Sequence, residues 1–168
     1  MKNNWEKCVE FHGHECPGLA IGVRASEAAM EKMKIAFSED EELVCIPENN
    51  ACGVDAIQVL LGCSAGKGNL IIRQRGKQAF NFYDRKSLKS LRLSLKPFHK
   101  EMDRAERQQM ILSEPLEELF EYKQPTIKLP DKAEIYPTIT CESCGEGTAE
   151  PFVRLKNSRK ICLDCYGF

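Results

Sequence analysis

Four cysteines near the end of this 168-residue chain set the tightest limit on what it can fold into. Cys141-Glu142-Ser143-Cys144 and Cys162-Leu163-Asp164-Cys165 are two C-x-x-C pairs separated by 17 residues, inside the spacing range of four-cysteine zinc sites. Two intervening residues let both sulfurs of a pair face one ion, and Gly145 supplies the turn after the first pair. A segment as short as 141–168 cannot build a core without such a staple. Zinc suits four thiolates; a redox dithiol pair, disulfides and a rubredoxin-like iron site are the alternatives that spacing leaves open. Protein thiolates fill all four positions, so the role expected of this zinc is structural. Phe152 to Leu155 and Ser158 to Ile161 read as two short strands with Asn157 at the turn, which makes a ribbon-like module. Its four basic residues balance four acidic ones, so no phosphate-binding face is expected and nucleic acid is not an expected partner.

The remaining chain suits one core domain, given 42% hydrophobic and 8% aromatic residues. A formal net charge of -1 excludes a global field that would draw nucleic acid or a membrane surface. No apolar run approaches the roughly 18 residues of a membrane span, and the first residues lack the basic and apolar segments of a signal peptide. The expectation is a soluble cytoplasmic protein. Nine cysteines in a reducing compartment then point to metal binding or reactivity.

Hydrophobic periodicity predicts an α+β core domain over 1–123, a Pro-rich linker over 124–140 and a finger over 141–168. Residues 1–11 read as a short helix. Pro17 fits the first position of a second helix that runs to about Lys34, which makes Cys16 its N-cap. Leu43 to Ile46 reads as a strand. Asn49 or Asn50 caps a helix carrying Val54, Ile57 and Leu61, and Gly62 stops it. Leu70–Gln74 and Gln78–Tyr83 look like a hairpin around Arg75-Gly76-Lys77, and Leu91 to Leu95 adds a further strand. Charged helices are expected over Phe98–Leu112 and Leu116–Tyr122. The expected sheet is antiparallel or mixed and packed with helices.

In Phe11-His12-Gly13-His14-Glu15-Cys16-Pro17, two histidines and a cysteine at alternate positions of a turn can converge on one metal or on a substrate. Cys16 at a helix N-terminus also has the surroundings of a reactive thiol. The plain alternative is a core cysteine beside two surface histidines. Cys52 and Cys63 stand about 16 Å apart at opposite ends of one helix, at about 1.5 Å per residue, so at most one joins that site. The glycine-rich loop suits Cys63 as the ligand, while Cys52 with Asp55 suits a separate polar end. Cys8 and Cys45 read as core. The loop from Gly62 to Gly68 fails the phosphate-loop pattern in spacing, in its last residue and in preceding a strand. Lys67 there is either an anion-steering group or a solvated lysine.

Two stretches, FHGHECPGLAIG and CGVDAIQVLLGCSAGKGNL, together with the terminal C-x-x-C pairs, are similar to the FmdE family of molybdenum or tungsten formylmethanofuran dehydrogenase. The resemblance implies a metal-binding α+β core, a homodimer and a treble-clef zinc finger. A treble clef continues as a helix after its last cysteine pair, so a curtailed version is expected here. Carried over by residue, the resemblance marks His14, Cys16, Cys52, Asp55 and Cys63 as the active or metal-binding region. In that assignment Cys16, Cys52 and Asp55 are catalytic candidates, His14, Cys16 and Cys63 hold a second ion, expected as zinc, and which of His12 and His14 is the ligand stays open. It further implies an accessory protein for a molybdenum or tungsten oxidoreductase. No ferredoxin-type cysteine spacing is present, so the chain by itself is not expected to run that redox reaction. A self-contained metal- or thiol-dependent enzyme and a zinc-finger regulatory protein are the competing functions.

Overall fold

The computed structural model describes residues 2–132 and 134–167. It separates into two compact units, Met1–Asp131 and Lys132–Phe168. Among the described residues no helix is long and apolar enough to cross a membrane.

The first unit is built on four antiparallel strands, β1 (Leu43–Pro47), β2 (Ala79–Asp84), β3 (Ser90–Leu95) and β4 (Phe120–Lys123), in spatial order 1-2-3-4. Register places Cys45 opposite Phe82, Phe80 opposite Leu93 and Leu95 opposite Phe120, so one face of the sheet is continuously apolar. On that face lies α2 (Pro17–Met33), whose Ala20, Ala25, Ala28 and Ala29 are all fully buried. Small residues let the helix approach closely while α1 (Asn4–His12), α3 (Gly53–Leu61) and α4 (Arg104–Ser113) pack around it. A one-turn helix, α5 (Leu116–Leu119), leads into β4.

The opposite face of the sheet carries Val44, Ile46 and Tyr83, and Ile127 and Leu129 pack over them. The Tyr83 hydroxyl donates to the Ile127 carbonyl, and Arg85 donates to the Pro130 carbonyl at 2.9 Å. Residues 127–130 therefore cover the core sheet, and the division between units falls after Asp131, inside the stretch expected as linker.

The expected hairpin of 70–74 with 78–83 does not form. β1 and β3 occupy both edges of β2, which leaves no free edge for a third strand. Residues 69–75 instead run parallel along the outer edge of β1: the Cys45 amide donates to the Asn69 carbonyl at 2.9 Å, and the Ile71 amide to the Cys45 carbonyl at 3.0 Å. The helix expected from Phe98 starts only at Arg104. There Asp103 and Glu106 form a capping box, the Asp103 carboxylate accepting from the Glu106 amide at 2.8 Å.

In the second unit, β5 (Thr138–Thr140) pairs with β6 (Gly147–Ala149) across the first cysteine knuckle. A 3-10 turn at Glu150–Phe152 leads to β7 (Val153–Lys156) and β8 (Arg159–Cys162). Asn157 and Ser158, both with positive φ, close that hairpin, and α6 (Leu163–Tyr166) follows. Knuckle, hairpin and helix together make a treble-clef-like finger, and its helix is a single turn that contains Cys165.

Candidate metal centres

Among the described residues, two groups of side chains have the donor types and spacing to hold an ion. In the finger the sulfurs of Cys141, Cys144, Cys162 and Cys165 all lie within 4.8 Å of one another. Cys141 Sγ accepts the amides of Ser143 at 3.4 Å and Cys162 at 3.3 Å. Amides at Cys144, Cys162 and Ser143 bring the Cys141 thiol down to about 6, which prepares a thiolate for a cation near neutral pH. All nine cysteines are free of disulfides.

The second group is assembled from three helix ends. Gly13, in the left-handed region at φ 88°, stops α1 directly after His12 and turns the chain back. Cys16 then caps α2, its Sγ accepting the Leu19 amide at 3.3 Å, with Pro17 in the first turn. Cys52 stands at the N-cap of α3. Two glycines let these ends meet: a Cβ on Gly22 would lie 2.1 Å from the Gly53 carbonyl oxygen, and one on Gly18 would lie 3.3 Å from Cys52 Cβ. As a result the ligating atoms of His12, His14, Cys16 and Cys52 all fall within 4.8 Å of one another.

Asp55 completes the arrangement. It sits in the first turn of α3, where the helix dipole favours a carboxylate, and its Oδ2 lies 2.7 Å from His12 Nδ1. An ionised carboxylate only accepts, so Nδ1 carries the proton and, in the neutral ring, Nε2 keeps its lone pair. That lone pair faces Cys16 Sγ at 3.9 Å. Gln58 donates to the other carboxylate oxygen at 3.2 Å and holds Asp55 in place. A carboxylate behind a histidine is the usual support of a ligating imidazole. The Cys52 thiol is pushed up by burial, and the Cys16 sulfur beside it adds to the shift. A dication held by Cys16 and Cys52 would reverse that preference, because coordinated thiols ionise. Two sulfurs and two imidazoles suit zinc and other borderline-soft ions.

Of the residues singled out in the sequence, the structure brings His12, His14, Cys16, Cys52 and Asp55 together and leaves Cys63 outside. Cys63 is fully buried, its Sγ donates to the Leu43 carbonyl at 3.6 Å, and burial pushes its thiol up to about 12. Cys52 takes the position expected for Cys63, because the N-terminal end of α3 is the end that lies against Gly18, beside Cys16 at the start of α2. Both His12 and His14 reach the site, their rings 4.4 Å apart. The readable signal for Cys52 was the small-residue spacing of Gly18, Gly22 and Gly53. Lys67 is engaged with the protein itself: its Nζ donates to the Ser38 carbonyl at 2.8 Å and lies 5.6 Å from the Phe37 ring centroid.

A crystal structure of a tungsten formylmethanofuran dehydrogenase FmdE-like protein from Syntrophus aciditrophicus superimposes with a TM-score of 0.70 at 24% identity, covering 96% of this chain and 89% of that one. At that identity the likeness is one of fold. A "Probable S-adenosyl-L-methionine-binding protein" of Archaeoglobus fulgidus is 33% identical over 193 aligned positions, which take in 96% of this chain but only 52% of the relative. The chain thus spans about half the length of that relative. Residues 11–132, which contain the whole core site, match the family described as "FmdE, Molybdenum formylmethanofuran dehydrogenase operon", and the chain belongs to that family.

Proposed function

We propose that this chain is a metal-binding accessory protein of a molybdenum or tungsten formylmethanofuran dehydrogenase-type oxidoreductase, with a zinc centre in its core and a structural zinc in its finger. The observation that carries the reading is the set of four donors, His12, His14, Cys16 and Cys52, whose ligating atoms lie within 4.8 Å of one another inside the family-matched segment. In this reading His12 is held in its ligating tautomer by Asp55. Cys16 is the working thiol, since it caps the N-terminus of α2 beside Cys52 and His12, with its Sγ oriented by the Leu19 amide. A bound zinc would supply Lewis acidity and hold sulfur ligands. The homodimer that the resemblance implies and a soluble location belong to the same reading.

The test is made on the oxidoreductase purified from cells that carry either the wild-type chain or Cys16→Ala. A fall in molybdenum or tungsten content with Cys16→Ala is the expected result; equal metal content in both preparations contradicts an accessory role for this site.

A further inference from the structure

The four donors of the core site are not held alike. His12 lies in the last turn of α1 and is fixed by Asp55 at 2.7 Å, which Gln58 fixes in turn at 3.2 Å. Cys16 is buried and tied to the Leu19 amide at 3.3 Å. Cys52 packs against the bare backbone of Gly18, where even one added carbon would come within 3.3 Å of Cys52 Cβ. His14 differs in each respect. It is exposed, it lies in the bend between α1 and α2 outside any helix or strand, and the preceding Gly13 has open space where a Cβ would be. Its ring rests on that of His12 at a tilt of 39°. Swinging His14 outward disturbs neither a helix nor the packed core.

From this contrast, and resting on the core metal centre proposed above, we infer that the centre has three anchored ligands, His12, Cys16 and Cys52, and one displaceable ligand, His14, whose place is taken by a small exogenous thiol. A metal site with three fixed protein ligands and one exchangeable position is the arrangement that admits a substrate. The ligand class follows from the anchored donors. Two thiolates select a soft or borderline ion, and such an ion prefers sulfur over oxygen from solvent. The exchange breaks the bond from the metal to the His14 nitrogen and forms one to the incoming sulfur. The thiol proton passes to the freed imidazole, and no atom changes oxidation state. Because the vacated side faces water, the extra negative charge of a third thiolate is solvated there and is not buried.

Cadmium-113 NMR of the full chain reads both centres at once, since each has its own resonance and the resonance reports the number of sulfur ligands. The finger gives a four-thiolate signal that serves as an internal control. The core gives a two-thiolate signal that moves to the three-thiolate region on titration with 2-mercaptoethanol. In His14→Ala the core signal persists and completes that move at about tenfold lower thiol concentration, while Cys16→Ser loses it. A core signal that ignores mercaptoethanol in both wild type and His14→Ala, or that vanishes in His14→Ala as it does in Cys16→Ser, overturns the inference and makes His14 a fixed ligand. Absence of any core signal in the wild type, with the finger signal intact, overturns the core metal centre itself.

Discussion

Gly22 of α2 and Gly53 of α3 meet so closely that a methyl group on Gly22 would lie 2.1 Å from the Gly53 carbonyl oxygen. This contact sets how far Cys16 stands from Cys52, because both cysteines are the caps of the helices that it joins. Gly22→Ala must push the helices apart, at a cost of about 1–3 kcal/mol for overpacking a buried interface. The urea midpoint should fall accordingly, and the core ion should be lost while the finger keeps its own. An unchanged midpoint and unchanged metal content would show that the helix contact does not control the site.

In the proposed core centre Asp55 acts on the ion through His12, which makes it a positioning residue. Removing the carboxylate in Asp55→Ala leaves Nδ1 without its partner at 2.7 Å. Core affinity for zinc is expected to fall about 10–100-fold, the usual effect of losing such a support. Asp55→Asn keeps an acceptor oxygen and should recover part of that loss. Chelator competition measures both variants, and the finger affinity should be the same in each. Equal losses in the two variants would point to the carboxylate charge and not to an acceptor that orients the histidine.

Three buried thiols make the fold sensitive to alkali. Burial pushes Cys8 up to about 11 and Cys63 up to about 12 from an ordinary value of 9.0, and Cys45 well above it. A thiol with a raised folded pKa contributes fully below its unfolded value and loses that contribution as pH rises toward the folded one. Stability against urea should therefore hold up to pH 9 and decline between there and about 12, with a shallower decline in Cys63→Ala. The same thiols should resist iodoacetamide in the native protein at neutral pH. Rapid native-state labelling of Cys63 would refute its burial.

On the other face of the sheet Arg92 grips Glu48 with two hydrogen bonds, 2.7 Å from Nε and 3.1 Å from the terminal nitrogen, and Asn81 adds a third at 3.1 Å. Arg92 beside it holds the Glu48 carboxyl below the usual value of 4.5. A depressed acid contributes above its unfolded pKa and loses the contribution as pH falls through the lower folded value. Arg92→Met strands a buried carboxylate and should destabilise by about 3–5 kcal/mol at neutral pH. Its deficit against wild type should shrink below pH 4.5, as Glu48 takes up a proton. A deficit constant across that range would mean that lost packing, and not the charge pair, is responsible.

The finger was legible because its four cysteines sit in two short pairs whose spacing alone imposes convergence. Three of the four core donors were legible for the same reason: His12, His14 and Cys16 fall in one turn, and Pro17 marks Cys16 as a cap. Cys52 was not legible from local pattern. Helix length separates Cys52 from Cys63, but the choice between them depends on which end of α3 lies beside the N-terminus of α2, a tertiary fact decided by glycines at 18, 22 and 53. The segment 70–74 misled because its apolar residues fit a hairpin with β2. The unpaired edge of β1 gave it a partner from a different part of the chain. The late start of α4 was written in Asp103 and Glu106, a capping signal that outranks the apolar period reaching back to Phe98.

The most direct test of two separate metal centres is the metal content per chain, measured by elemental analysis on wild type, His12→Ala/Cys16→Ala and Cys141→Ser/Cys144→Ser. The account predicts two ions in wild type and one in each double variant, with the core variant keeping its finger ion and the finger variant keeping its core ion. One ion in wild type that survives His12→Ala/Cys16→Ala and disappears with Cys141→Ser/Cys144→Ser would contradict the core centre.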